Sequence, residues 1–392
     1  MSDIFLMPKY IISGENALSE SMEHIKNFGK KALIVTDETM VKIGTVEKLE
    51  TQLNENQIDY FVYDGINGEP IDEMVDVGKR LYLENKCDFL IAIGGGSPID
   101  VMKAIGAMLT NEGKIVNYNG KVIPNPPPTL VAIPTTAGTG SEATKFTIIT
   151  DSMNNIKMLL VGPGLIPTLS IIDPEFTLTV PPAITAATGV DALTHAIESF
   201  TSRKAQPMSD IFAISAIKRI YNHLLDAYED GSNYNSRKEM ALAALEAGIA
   251  FSNASVTIVH GMSRPIGALF GIPHGLSNAI LLKDCLEFIK DGAIKEFAFL
   301  AKELELVYDE VEDGEAADIF VKSIIDLINK LNIQTLEEYG VDKKEFFANL
   351  DKMATDALAS GSPENTQRIP TKEDIIEIYK KLWKEEKVAC RL

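Results

Sequence analysis

A five-residue apolar run, Phe89-Leu90-Ile91-Ala92-Ile93, leads straight into Gly94-Gly95-Gly96 and then Ser97-Pro98-Ile99-Asp100. No other feature of the chain restricts its fold so tightly. An apolar run without polar alternation is buried on both faces, as a central strand of a parallel sheet is. Glycines at its end let the backbone turn through φ values that a Cβ disfavours. Ser97 as N-cap, Pro98 at the first helical position and Asp100 three residues on make a capping-box pattern. The expectation is strand, tight turn and helix start, with free N–H groups at the helix mouth suited to a pyrophosphate. A well-capped glycine turn with nothing bound is the plainer reading of the same residues.

Further short β-rich runs occupy residues 32–36, 60–63, 130–133 and 169–172, with helical stretches such as 45–56 and 71–84 among them. Strands alternating with helices predict a doubly wound α/β unit. After Asp173-Pro174 and Pro181-Pro182 the strand signals nearly vanish, and residues 211–225, 238–251, 319–331 and 373–384 carry helical periodicity. At 392 residues the chain exceeds the size of one core. The expected architecture is an α/β Rossmann-like dinucleotide-binding domain over residues 1–180 and an all-α domain over residues 181–392.

A formal net charge of -19 argues against nucleic acid or an anionic membrane surface as partner. Cys87, Cys285 and Cys390 are scattered without a CxxC, which fits a reducing compartment better than a disulfide framework. The first residues show no basic n-region, and no apolar run approaches the roughly 18–20 residues of a membrane span. A cytoplasmic protein is expected.

Two further features fall on the dinucleotide side. Thr135-Thr136-Ala137-Gly138-Thr139-Gly140-Ser141-Glu142 follows the run at 130–133 and offers hydroxyls and close backbone approach. Paired loops at the carboxyl ends of parallel strands are where ligands sit in open α/β sheets. Asp37 ends the run at 32–36, where a carboxylate can accept from ribose hydroxyls and would repel a 2′-phosphate, favouring NAD over NADP. The arrangement is not GxGxxG, because Asp37 precedes the glycine loop instead of following it.

In the second half, Asp191 and His195 stand four residues apart, one helical turn, and so share a helix face. His260 and His274 follow, so that three of the five histidines in the chain fall in this stretch. One carboxylate with three imidazoles suits divalent iron or zinc. Each residue alone has an ordinary explanation: a surface Asp/His pair, a core histidine after Val256-Thr257-Ile258-Val259, and a turn at Pro273-His274-Gly275.

Taken together, the stretches Gly94–Asp100, Thr135–Glu142, Gly189–Glu198 and the fourteen-residue spacing from His260 to His274 make the chain resemble the iron-containing (group III) alcohol dehydrogenases, over nearly its full length. The resemblance implies a dehydroquinate synthase-like fold with a metal in the cleft between the domains. It also implies Asp191, His195, His260 and His274 as metal ligands, with Fe2+ ahead of Zn2+. Asp37, Gly94, Gly95, Gly96, Ser97, Asp100, Thr135, Thr136, Thr139, Ser141 and Lys157 correspond to the NAD(H) side. The implied activity is hydride transfer between NAD(H) and a primary alcohol or diol and its aldehyde, in a homodimer or larger homo-oligomer. One departure bears on chemistry: where many members carry a histidine four residues after the third ligand, associated with proton relay, this chain has Arg264. A guanidinium there suits an anionic aldehyde, such as a semialdehyde, sulfoacetaldehyde or phosphonoacetaldehyde, or else makes a structural ion pair or touches a cofactor phosphate. A NAD- and metal-dependent lyase of the dehydroquinate-synthase type is the alternative of another class.

Overall fold

The computed structural model describes residues 3–154 and 156–383. Its strands are β1 (Tyr10–Ser13), β2 (Lys31–Val35), β3 (Asp59–Tyr63), β4 (Phe89–Gly94), β5 (Leu130–Pro134), β6 (Phe146–Asp151), β7 (Ile156–Val161) and β8 (Leu169–Ile172). Among them run α1 (Ala17–Ile25), α2 (Glu38–Lys42), α3 (Thr45–Glu55), α4 (Asp72–Glu84) and α5 (Gly96–Thr110). The second half is helical: α6 (Pro182–Phe200), α7 (Pro207–Glu229), α8 (Tyr234–Ala254), α9 (Ile258–Phe270), α10 (His274–Lys290) and α11 (Ile294–Glu303) come first. Then follow α12 (Asp313–Lys330), α13 (Leu336–Tyr339), α14 (Lys343–Ala348), α15 (Leu350–Ala359) and α16 (Lys372–Lys381). Residue 384, the expected end of the last helix, and Cys390 lie outside the described residues.

Six strands form one parallel sheet in the order β1-β8-β5-β4-β2-β3. The five apolar runs read from the sequence are all in it, and β4, β5 and β8 are buried at every position. Apolar clusters cover both faces, one around Leu33, Leu90 and Ile105 and the other around Ile34, Ile91 and Leu49. Helices thus flank the sheet on both sides, as a doubly wound fold requires. Because β4 lies between β2 and β5, the segments after β2, β4 and β5 emerge side by side at one edge. Asp37 and both glycine loops stand there.

Three strands went unforeseen. β1 is a four-residue edge strand, and β6 pairs with β7 in a separate antiparallel hairpin. The capping-box expectation is also overturned. α5 begins at Gly96, with Gly95 in the cap position and no side-chain cap bond, so Ser97 already lies within the first turn. Asp100 turns inward instead, accepting from Ser141 Oγ at 2.5 Å and from the Ile148 N–H at 3.0 Å. The cause is the neighbouring loop: a Cβ at Gly96 would lie 2.8 Å from Thr139 Cγ2, so backbone alone fits at that point of the turn.

The helical half packs around α6, which is buried at nearly every position from Gly189 to Ser199. A helix apolar over most of its circumference belongs at the centre of a bundle. α7, α8, α9 and α10 surround it. The halves meet closely at Gly140, whose φ is 60° and whose added Cβ would lie 2.5 Å from Gly248 Cα on α8. Among the described residues no single helix is long and apolar enough to cross a membrane.

Candidate metal centre and cofactor cleft

Three helices bring the predicted ligands together. Asp191 and His195 project from adjacent turns of α6, His260 from the first turn of α9 and His274 from the first residue of α10. One potential ligand atom from each of the four lies within 4.8 Å of the others. Asp191 Oδ1 is 3.8 Å from both His260 Nε2 and His274 Nε2. Donor atoms bound at about 2.0–2.2 Å to one ion would stand roughly 3–4 Å apart, so the spacing fits a shared cation.

The hydrogen bonding agrees. Asn278, one turn after His274 on α10, places Nδ2 at 2.6 Å from Asp191 Oδ1, 3.1 Å from His260 Nε2 and 3.2 Å from His274 Nε2. An amide nitrogen has two hydrogens and cannot satisfy three acceptors at once. Lone pairs converging in that way are what a metal ion takes up. His195 Nδ1 is buried without a hydrogen bond among the described residues. Burial pulls the His195 pKa down to about 3 and that of His274 to about 4, with Asp191 opposing in each case. Both rings are therefore neutral near pH 7, the ligating form. Burial works against an ionised Asp191, but its histidine neighbours and the Asn278 bond outweigh it and hold its carboxyl below the usual range.

A residue that sequence reasoning passed over completes the centre. Glu198, fully buried one turn beyond His195, accepts from Thr257 Oγ1 and the Val259 N–H, each at 2.6 Å, and bonds His260 Nδ1 at 2.5 Å. A carboxylate on Nδ1 fixes the tautomer that leaves Nε2 free to ligate. Phe251 stacks on the His195 ring at 4.2 Å, with Phe146 beyond it at 6.3 Å. His274 is the most open of the four, its side chain 34% exposed, so the cleft lies on its side.

The cofactor-side residues gather at the sheet edge. Gly94 has a φ of 154°, and a Cβ there would lie 2.6 Å from Pro98 Cγ and 3.5 Å from Asp37 Oδ2. Asp37 Oδ1 caps α2 by accepting from the Thr39 and Met40 N–H groups. Gly95 faces Thr136, whose Oγ1 is 3.6 Å from the position of a Cβ, and the Thr135 N–H donates to the Gly94 carbonyl at 2.9 Å. Ser141 and Asp100 bond each other and are held from below by buried Lys103, which donates to Ser141 Oγ, Thr144 and the Phe146 carbonyl. Their side chains latch the second loop to α5.

Lys157, on β7, pairs with Glu69 at 2.9 Å and brings Nζ to 3.7 Å from the position of a Cβ at Gly267 on α9. Arg264 lies one turn past His260. Burial lowers its pKa, with the charge of Glu198 opposing, yet no hydrogen bond or ion pair holds it among the described residues. Among the described residues, the structural ion pair considered for it is not formed. Its charge and that of Lys157 are both felt at His274.

Comparison with known proteins agrees with this geometry. Residues 8–174 match the family model for iron-containing alcohol dehydrogenase, and residues 185–383 match the C-terminal model of the Fe-containing alcohol dehydrogenase family. The chain is 37% identical over 384 residues to a 1,3-propanediol dehydrogenase of Citrobacter freundii, covering 97% of this chain and 98% of that one. It is 33% identical to an NAD-dependent methanol dehydrogenase of Bacillus methanolicus over 97% of this chain and 99% of that one. A crystal structure of 1,3-propanediol oxidoreductase superposes with a TM-score of 0.93 at 35% identity, covering 98% of this chain and all of that one. Full-length matches in sequence and structure, with the four-residue cluster intact, make this chain a member of the iron-containing alcohol dehydrogenase family.

Proposed function

We propose that Asp191, His195, His260 and His274 hold the catalytic divalent metal of an NAD(H)-linked alcohol dehydrogenase and aldehyde reductase, with iron preferred over zinc. The observation that carries the reading is the convergence of Asp191, His260 and His274 lone pairs on one point, beside a sheet edge that bears both glycine loops. When bound, the metal supplies a Lewis-acid site that acidifies an alcohol hydroxyl or polarises an aldehyde carbonyl, and NAD(H) accepts or supplies the hydride.

The chain's own residues do the positioning. The N-terminal N–H groups of α5, together with Gly94, Gly95, Gly96 and Ser97, receive the pyrophosphate. Asp37, with one carboxylate oxygen engaged in capping and the other turned toward Gly94, receives the ribose hydroxyls. Thr135, Thr136 and Thr139 border the same space, and Lys157 reaches across to α9. Phe251 covers one face of His195 and keeps water from it. Such placement holds the reacting carbons in an aligned geometry, where orientation contributes most. Arg264 stays charged at any working pH and cannot pass a proton. We place the division between the domains near residue 180, between β8 and α6, and infer a cytoplasmic homodimer or larger homo-oligomer acting on small molecules.

Anaerobically purified protein should consume NADH with a short aldehyde such as propanal, lose that activity on chelation and regain it with Fe2+. The His195→Ala variant should lose bound metal and turnover together. Full turnover by metal-stripped protein would overturn the assignment. The lyase alternative needs several cations for a phosphate-bearing substrate. Among the described residues the charges that act on His274 besides its neighbour His260 are those of Lys157 and Arg264, and Lys157 is already paired.

A further inference from the structure

Arg264 is the unexplained charge in the cleft. Its guanidinium offers five donors, yet no acceptor meets it among the described residues. Glu198, the carboxylate whose charge reaches it, is already engaged by Thr257, Val259 and His260. Asp191 faces the histidines and Asn278. Its side chain is part-buried, so it is not wholly cut off from solvent. Its place is set by α9: residues one turn apart stand about 5–6 Å apart at Cβ and point the same way, so Arg264 reaches toward the side of the cluster that His260 serves. Its charge is felt at His274, the open member of the cluster.

We propose that Arg264 binds the far end of the substrate, and that the preferred aldehydes are short ones ending in a carboxylate, sulfonate or phosphonate. The inference rests on the metal-dependent reductase reading above. A cation left unpaired in a partly desolvated cleft is poorly stabilised until an anion arrives, and a planar fork accepts two oxygens of such a group in parallel. The aldehyde carbonyl lies toward the cluster and the anion one helical turn along α9, which limits the chain between them to a few carbons. Lys157 is the weaker candidate for the same anion because Glu69 already neutralises it.

The test is a ratio. With metal-loaded enzyme and NADH, kcat/KM is measured for succinic semialdehyde against butanal and for sulfoacetaldehyde against propanal, in wild type, Arg264→Lys and Arg264→Gln. The wild type should favour the anionic member of each pair. The Gln variant should lower that ratio about 10- to 100-fold, the range for one hydrogen bond to a charged group. The Lys variant should fall between the two. Taking the ratio within each variant cancels any general loss of activity. A ratio unchanged in Arg264→Gln overturns the proposal, and so does a rise in the KM for NADH shared equally by all aldehydes, which would place Arg264 on the cofactor. A second measurement needs no variant: butanoate should inhibit propanal reduction by the wild type competitively, and butanamide should not. Equal inhibition by the two also overturns it. Absence of metal-dependent turnover with every aldehyde would instead be a failure of the reductase reading itself.

Discussion

The two halves of the cleft are built from different material. On the sheet side, recognition rests on backbone: a glycine turn, the N–H groups of α5, and a second loop so tightly seated that Gly140 touches Gly248. On the helical side the proposed metal site rests on side chains, with four candidate ligands from three helices and Glu198 and Asn278 behind them. A backbone site is damaged by adding atoms, and a side-chain site by removing or exchanging them. The two should therefore fail separately.

The largest effect should come from Gly140→Ala. A methyl there meets α8 backbone, and the residue sits at a φ of 60°. Left-handed strain and overpacking together predict a loss of about 2–5 kcal/mol. Denaturant unfolding would give the loss. Fluorescence titration should show weaker NADH binding while metal analysis finds the usual content. Loss of metal with unchanged NADH affinity would contradict the separation.

Glu198→Gln tests the other side. The new amide can present its oxygen to Thr257 and Val259 or to His260, but not to both. If the NH2 faces His260 Nδ1, the ring must carry its proton on Nε2 and cannot ligate there. Competition with a chelator should show metal affinity lowered about 10- to 100-fold, with NADH binding intact. Glu198→Asp, which keeps the charge, should recover part of it.

The smallest effect concerns Glu142, behind the second glycine loop. Burial pushes its pKa up to about 7, with its own backbone N–H and the charge of Lys103 opposing. A folded pKa above the unfolded one means stability fully present below pH 4.5 and lost as the pH rises toward 7. Glu142→Gln should flatten that slope and stabilise the protein at pH 8 by about 1–3 kcal/mol relative to wild type. Urea unfolding at pH 5 and pH 8 reads the difference. An identical pH slope in both proteins would mean that Glu142 is ionised without penalty.

What the sequence disclosed follows the same division. Strands buried on both faces announce themselves as apolar runs, so β2, β4, β5 and β8 were legible, and the part-buried edge strand β3 was legible from its β-rich run at 60–63. β1 is too short and half-buried to stand out, and β6 alternates because only one face of its hairpin is covered. The members of the cluster were legible because Asp191 and His195 keep helical spacing and histidine is scarce. Glu198 was not: a glutamate on a helix reads as a solvated position until the fold lays Thr257, Val259 and His260 over it. Ser97 and Asp100 show the reverse failure. Their local pattern was sound, but Thr139 and Ser141, far along the chain, took over the space and the partner that a capping box would have used.

Because the cluster joins α6, α9 and α10, an ion bound there would be a cross-link as well as a reagent. Opening any one of those helices would pull a ligand away, so release of the ion and disruption of the bundle become a single event. A bound ligand absent from the unfolded chain stabilises the fold by about 2.7 kcal/mol at a hundredfold excess over its Kd. The supply of metal in the surroundings would then govern how long the molecule survives as well as how fast it turns over.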